Sequence, residues 1–377
     1  MNIAVIRRKY DPNGGGAEKY AAYVVNELVS RGHAVTVFAE KSANIPPTVT
    51  LIPVSRPILP TLCRTASFAK RAQSAVAKYQ FDIIFALSRY EGADVYRQAE
   101  QLHVVWLPIY YSFFSRFNPR HAGILALERR VFDSSSTGIV VTNSELVRSQ
   151  VIDNFSFDES RVKVVRNGVD RDRFYRAQSQ NEINKLRSNL GLKQDSLILL
   201  FVAGNFAIKG LDKAILAVAA LKDECKNKIT LVVVGGDDPN FFQQLANAHG
   251  VGDKILFVGK QNSMRDFYIT ADLLFYPSLY EPFANVCLEA CACGLPVLTT
   301  SQNGSSELIV HGENGYIVER ADHVLQMADY VNQYNELSAG ARIRVSDNAF
   351  KATEGYSWGA HVDCLELMFK DIKRKKI

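Results

Sequence analysis

Two successive series of short apolar runs, each run followed by a turn and in several cases by a helical pattern, constrain this chain more than any other feature. The first series is NIAVI (2–6), AVTVFA (34–39), VTLIPV (49–54), DIIFAL (82–87), TGIVVT (137–142) and VKVV (162–165). The second is LILLFVA (197–203), ITLVVVGG (229–236), ILFVGK (255–260), DLLFYPS (272–278) and PVLTT (296–300). Runs this uniformly apolar fit strands covered on both faces, and their alternation with helices predicts parallel sheets. Helices are expected at 17–31, 209–222, 240–249 and 285–293, with a last one at 358–373 carrying Val362, Leu365, Met368, Phe369 and Ile372 at helical spacing. A length of 377 residues suits two cores better than one. The expected architecture is α/β, two doubly wound Rossmann-like domains facing across a deep cleft. Residues 1–170 form one domain and 171–356 the other, and 357–377 supply a helix crossing back to the first. The polar stretch 170–194 reads as linker and entry to the second domain.

Charge is divided unevenly. Residues 1–170 hold 21 Lys and Arg against 15 Asp and Glu, whereas 171–369 hold 18 against 23. The last eight residues, KDIKRKKI, are basic again. Such asymmetry predicts that the first half meets something anionic. The opening strand leaves no room for a secretory signal, and no uninterrupted apolar run is long enough to span a bilayer. The expected location is the cytoplasm. The six cysteines show no paired framework, so no disulfide is expected, and Cys287, Cys291 and Cys293 read as core packing rather than metal ligands.

The stretch YEPFANVCLEACACGLPVLTT (280–300) carries the most chemistry. Gly294 and Pro296 stop a helix begun near Asn285, which puts Glu289 on that helix and Glu281 on the loop before it. Asn285 is expected as the N-cap, with the backbone N–H groups of Asn285, Val286 and Cys287 forming an anion site at the positive end of the helix dipole. Glu289, one turn on, lies on the same face as Asn285. A nucleoside diphosphate offers a pyrophosphate for the helix end and ribose hydroxyls for the carboxylate. Four more segments fall at strand ends of the second series: AGNFAIKG with Lys209, VVGGDDP, FVGK and SQNGSSELI. Ligands bind doubly wound sheets at this carboxyl edge.

Taken in order, NGVDRDRF, AGNFAIKG, VVVGG, VGK, the 271–300 segment, GSSELI and HGENGYIV resemble the retaining glycosyltransferases of family 4, which have the GT-B fold. The resemblance covers most of the chain and is strongest over 165–318. It implies that Glu281 holds hydroxyls of the donor sugar and Glu289 the nucleotide ribose. It places the loop backbone of Phe283, Ala284, Asn285 and Val286 against sugar and diphosphate, together with Gly204, Asn205 and Gly235. It implies that Lys209 neutralises the pyrophosphate and so assists the leaving group. The arginine that often precedes that lysine is absent here. In the first half Gly14, Gly15 and Gly16 match the family's glycine loop near the reacting centre; an ordinary flexible turn is the plainer reading. EGADVYRQAEQLHVVWL resembles a subgroup that builds lipopolysaccharide core. Its acceptor-side candidates are Asp94, favoured, and His103, for which a satisfied, partly buried imidazole is the bland reading. For Arg97 the bland reading is a structural ion pair.

The implied reaction is transfer of a hexose from a nucleoside-diphosphate sugar, UDP favoured, to an anionic glycan or glycolipid acceptor. No tightly bound cofactor, no metal and no nucleic acid are expected. DRD at 170–172 and GGDD at 235–238 imitate metal motifs but read as solvated linker and loop. The aromatic run WLPIYYSFFSRF (106–117) reads as core plus loop. In a sharper reading it joins Arg116, Arg120, Arg129, Arg130 and the basic tail as a patch seated on an anionic membrane at the inner face of the plasma membrane. A nucleotide-sugar epimerase of the same fold and a non-catalytic sugar-binding protein stay open. A dehydrogenase is disfavoured because no G-x-G-x-x-G follows a strand with an acid about twenty residues on.

Overall fold

A computed structural model describes residues 1–55 and 64–376, so Cys63 lies outside the described residues. The chain divides into two compact units. Unit 1 comprises Met1–Gly168 together with the segment from Tyr356 onward, and unit 2 is Val169–Gly355.

In unit 1, the larger sheet contains β1 (Asn2–Ile6), β3 (Ala34–Ala39), β5 (Thr50–Pro53), β6 (Ile83–Ala86), β7 (Val95–Gln98), β8 (Ile139–Thr142) and β9 (Val162–Val164). Two-residue strands β2 (Lys9–Tyr10) and β4 (Lys41–Ser42) pair separately. The seven strands run parallel in the order β5-β3-β1-β6-β7-β8-β9. Strand order therefore reverses direction between β1 and β6. Ile3, Val5 and Phe85 are fully buried, as the apolar runs require. The Trp358–Lys376 helix belongs to this unit, and Val362, Leu365 and Phe369 enter the core with Ile3, Val5 and Tyr20. Burial of each such side chain stabilises by about 1.5–3 kcal/mol. His361 on the same helix bridges the Tyr20 hydroxyl at 2.7 Å and the Arg166 carbonyl oxygen at 2.7 Å.

β7 is the element that the apolar pattern hides. Its sequence VYRQ contains Arg97 and Gln98, yet all four residues are buried. Arg97 donates to Asn167 Oδ1 at 2.6 Å and its guanidinium lies 3.4 Å from the Tyr20 ring centre, which is the structural role. Gln98 accepts from the Tyr96 hydroxyl and donates to the Glu100 carbonyl. These partners remove most of the cost of burying polar groups, so a central strand is built from residues that read as loop.

In unit 2, β10 (Leu197–Val202), β11 (Ile229–Val234), β12 (Ile255–Gly259), β13 (Leu273–Tyr276), β14 (Val297–Thr300) and β15 (Gly315–Val318) form a parallel sheet in the order β12-β11-β10-β13-β14-β15. This is the doubly wound Rossmann order, with its switch point between β10 and β13. The helices Leu211–Ala219, Asn240–Ala248 and Asn285–Ala292 sit close to their expected places.

Candidate functional site

The loops after β10 and β13 meet at the carboxyl edge of unit 2. After β10, Phe206 is buried and anchors the turn, its N–H donating to Asp237 Oδ2 at 2.8 Å, while Asn205 Oδ1 accepts from Ile208 N–H at 3.0 Å. Gly204 has open space where a side chain would stand. Gly210 has φ +78° and a Cβ there would lie 2.1 Å from the Pro277 carbonyl oxygen, so only glycine lets the loop of β10 touch the loop of β13. Gly235 is demanded by packing in the same way: a Cβ would stand 1.9 Å from the Ala203 carbonyl oxygen.

After β13, Glu281 is held by its backbone. Its N–H donates to the Gln302 carbonyl at 3.0 Å and its own carbonyl accepts from Gly304 at 2.9 Å. Asn303, fully buried, organises the junction. Its Oδ1 accepts from Ala284 N–H, Ser305 N–H and the Ser305 hydroxyl, and its Nδ2 donates to Thr299 Oγ1 and reaches Cys287 Sγ. Sequence reasoning quoted the SQNGSSELI segment but passed over Asn303. The available signal was an Asn directly after a buried strand and before Gly, a position that favours side-chain capping of the next turn.

Lys209 Nζ and Glu281 Oε2 form an ion pair between the two loops, each side chain 16% exposed. The lysine and the glutamate assigned to different parts of a donor thus lie in contact. Glu289 lies one turn into the Asn285–Ala292 helix, where its Oε2 accepts from the Tyr268 hydroxyl at 2.8 Å. Burial, and then the Glu289 charge, hold the Tyr268 phenol well above its ordinary pKa, so it stays a donor to that carboxylate. Burial, and then Glu281, act on Tyr276 in the same direction. Phe283 and Ala284 are buried, and both polar groups of the Ala284 backbone are engaged, its N–H by Asn303 Oδ1 and its carbonyl by Cys287 N–H.

Two details of the helix start differ from expectation. The cap is Ala284, in extended conformation, and Asn285 is the first helical residue. Ala284 N–H, at the cap itself, donates to Asn303 Oδ1. Cys287 N–H is taken by the Ala284 carbonyl at 3.0 Å, so it is not a donor left for an anion. Cys287, Cys291 and Cys293 are free and buried, and burial pushes the Cys287 thiol up to about 12.

Unit 1 separates its candidates. Asp94 precedes β7, at the amino edge of the sheet, away from the carboxyl edge where ligands bind. Its Oδ2 accepts from Ile84 N–H at 2.7 Å and its Oδ1 pairs with Lys376 at 2.7 Å. Asp94 ties strands to the terminal helix, and its assignment to acceptor chemistry is withdrawn: VYRQ is a strand, so Asp94 enters it rather than leaving it. His103 follows β7 and lies on the carboxyl side, opening the His103–Tyr110 helix. Its Nε2 is within 2.9 Å of His121 Nδ1, and burial, then the charges of Arg89, His121 and Arg120, lower its pKa to about 4. It is therefore a neutral imidazole. Glu128, fully buried, accepts from the backbone N–H of His103 and from Arg89, a role that sequence reading missed. Gly15 caps the Gly16–Ser30 helix, and Gly14 closes a turn onto the Asp11 carbonyl at 2.9 Å, where a Cβ would crowd Glu18.

The decoys resolve into local structure. Asp170 Oδ1 accepts from the N–H groups of Asp172 and Arg173, and Asp238 Oδ1 from Asn240. Among the described residues no three His, Cys, Asp or Glu side chains gather to hold a metal ion. The aromatic run departs from core plus loop: Phe113, Phe114 and Phe117 are 64%, 85% and 71% exposed. The basic tail departs from a free patch, since Lys370, Lys373, Arg374 and Lys376 each pair with a carboxylate. No described helix is long and apolar enough to cross a membrane.

Comparison with known proteins gives the family of the two units. The domain described as Glycosyltransferase Family 4 matches residues 14–173, and that described as Glycosyl transferases group 1 matches residues 182–352. Lipopolysaccharide glucosyltransferase WaaG of Escherichia coli is 28% identical over 337 residues, covering 87% of this chain and 89% of WaaG. A D-inositol 3-phosphate glycosyltransferase of Stackebrandtia nassauensis is 26% identical, covering 100% of this chain and 91% of the relative. The crystal structure of WaaG, a glycosyltransferase involved in lipopolysaccharide biosynthesis, superposes with a TM-score of 0.83 at 25% identity, over 96% of this chain and 98% of that one. Anabaena HepE in complex with UDP and glucose superposes at 0.76 with 20% identity, over 98% and 100% of the two chains, which bears on the fold.

Proposed function

From the premise that the chain belongs to the group 1 and family 4 glycosyltransferases and has their GT-B fold, we propose that it moves a hexose from UDP-hexose to a glycan or glycolipid acceptor, with retention at the anomeric carbon, in the assembly of lipopolysaccharide core. One observation carries the donor half: Lys209 and Glu281 arrive from the two strands flanking the switch point of unit 2, beside a helix start that has Glu289 one turn on. In this reading the donor diphosphate lies at the backbone N–H groups of Asn285 and Val286 and draws Lys209 away from Glu281. Glu281 then accepts from hexose hydroxyls, and Glu289 from the ribose, with Tyr268 holding its other side. Gly204 and Asn205 supply backbone close to the phosphates. The acceptor hydroxyl attacks on the face the nucleotide leaves, and a departing phosphate oxygen takes its proton. A nucleoside diphosphate already stabilises the negative charge it carries off, so no carboxylic acid has to protonate it.

Unit 1 takes the acceptor, with Gly15 and Gly16 on its glycine loop as candidate contacts and His103 as a neutral one. Phe113, Phe114 and Phe117 support seating on an anionic membrane at the cytoplasmic face of the plasma membrane, since three exposed aromatic rings on one short segment suit a bilayer interface. The relative named for inositol 3-phosphate supports a second acceptor class, a small phosphorylated polyol. Release of UDP from UDP-glucose that depends on added acceptor is the test. Conversion of the nucleotide sugar without acceptor would favour an epimerase, and binding without turnover a sugar-binding protein.

A further inference from the structure

The carboxyl edge of unit 1 has its own switch point, between β1 and β6, and a cavity of about 270 Å³ opens there. Arg7, Arg8 and Lys9 follow β1, and Arg89 follows β6; these four line the cavity with Arg120, facing Glu18 and Glu100. Part of this charge is spent internally. Arg7 Nη1 lies 3.0 Å from Glu100 and donates to the Leu87 carbonyl at 2.7 Å. Arg89 pairs with buried Glu128 at 2.7 Å, and Lys9 with Glu18 at 3.8 Å. Arg8 and Arg120 form no close ion pair with a carboxylate among the described residues: Glu100 is paired with Arg7 and Arg89, and the Arg8 charge acts on it only at longer range. Arg7, only 7% exposed, keeps a buried Nε with no hydrogen-bond partner. A buried unpaired donor in a cationic cavity is costly unless something completes it. Arg120 also stands in the first turn of the 13-residue Pro119–Val131 helix, so the positive end of that dipole adds to the field.

We infer that this cavity seats a phosphomonoester carried by the acceptor. Two uncommitted guanidinium groups match the two negative charges of a phosphate monoester, whereas a carboxylate would balance only one. Planar forks suit phosphate oxygens better than an ammonium does, and Lys9 is the residue already paired off. The committed pairs fix the walls, and the Arg8 N–H bond to Ser88 Oγ at 3.1 Å holds the two loops of the switch point together. The inference rests on the proposed transfer reaction for the role of acceptor, while the binding seat is testable without any donor.

The full chain is titrated by calorimetry with glucose 6-phosphate, glucuronate and glucose, in wild type and in the R8A/R120A and R8K/R120K variants. Both arginines are exposed, so folding is not at stake, and an unchanged melting temperature checks it. Glucose 6-phosphate is expected to bind more tightly than glucuronate or glucose. R8A/R120A is expected to lose about 100-fold, about tenfold per guanidinium, with UDP affinity unchanged. The lysine pair should recover part of the loss. Wild type that binds glucuronate as tightly as glucose 6-phosphate, or a double alanine variant that keeps its affinity, overturns the seat. Competition by phosphatidic acid vesicles, against phosphatidylcholine vesicles, separates a lipid-borne monoester from a soluble one. Phosphate binding lost in R8A/R120A while no donor supports transfer leaves the seat standing and removes the transferase reading. Undiminished transfer in R8A/R120A removes the seat from the acceptor's path.

Discussion

Replacing Glu281 with Gln separates holding the sugar from holding the nucleotide. The amide keeps the volume and one acceptor oxygen but removes the charge that Lys209 faces. Both partners are 16% exposed, so the pair is neither at the surface nor in a dry interior. At an effective dielectric near 20, unit charges about 4 Å apart attract by about 4 kcal/mol, and desolvation of both groups offsets much of it. The free protein should therefore lose about 1–2 kcal/mol of stability, close to the cost of one hydrogen bond to a charged group. The larger effect falls on turnover. If the carboxylate accepts from hexose hydroxyls in the transition state, weakening those bonds costs about 2–4 kcal/mol, a fall in kcat of about 30- to 1,000-fold. UDP should bind within about threefold of wild type, or more tightly, because Lys209 no longer divides itself between carboxylate and diphosphate. The assay is steady-state release of UDP at saturating donor together with calorimetric titration of UDP. A variant that turns over normally at saturation but binds UDP at least tenfold more weakly refutes the division of roles.

Other substitutions probe neighbouring parts of the same structure. Glu289→Ala should weaken UDP about tenfold while sparing kcat at saturation, the worth of lost ribose hydrogen bonds, as calorimetry with UDP can check. Asn303→Ala leaves buried donors of Ala284 and Ser305 unpaired and should lower stability by about 3 kcal/mol in a urea titration. Burial, then the Arg97 charge, lower His361 to about 3, against a bond to Arg166 that raises it, and His103 stands at about 4. Below about pH 6.5 the unfolded chain binds protons that these folded imidazoles refuse, so stability should fall with pH toward 4 by about 1.4 kcal/mol per unit per histidine. His361→Gln should flatten that slope by about one proton. Changing Phe113, Phe114 and Phe117 to Ser should abolish sedimentation with anionic vesicles and leave the melting temperature unchanged; retained sedimentation would remove the membrane reading.

Unit 2 was the more legible half because its strands are continuous apolar runs and its site residues follow them directly. Lys209, Glu281 and Glu289 could be placed from breakers and strand ends alone. Their contact could not, since a Lys–Glu pair across 72 residues depends on which two strands flank the switch point. Unit 1 was harder because β7 violates the apolar rule. Arg97 and Gln98 are buried through partners distant in the chain or on the same strand, which no local pattern reveals. That one unseen strand puts Asp94, favoured as an acceptor-side candidate, at the edge opposite the one where ligands bind. Asn303 and Glu128 escaped notice for a related reason: each is a polar residue whose role is to satisfy backbone groups of a neighbouring element. The exposed Phe113, Phe114 and Phe117 show the reverse, since aromatic composition favours the interior and only the fold shows a ring left outside.

The most direct test of donor binding by unit 2 is a crystal structure of the protein soaked with UDP-glucose. Diphosphate oxygens at the Asn285 and Val286 amides, Lys209 Nζ turned from Glu281 to phosphate, ribose on Glu289 and glucose on Glu281 are the expected result. A donor ordered at another edge of the sheet, with the Lys209–Glu281 pair intact, would contradict it.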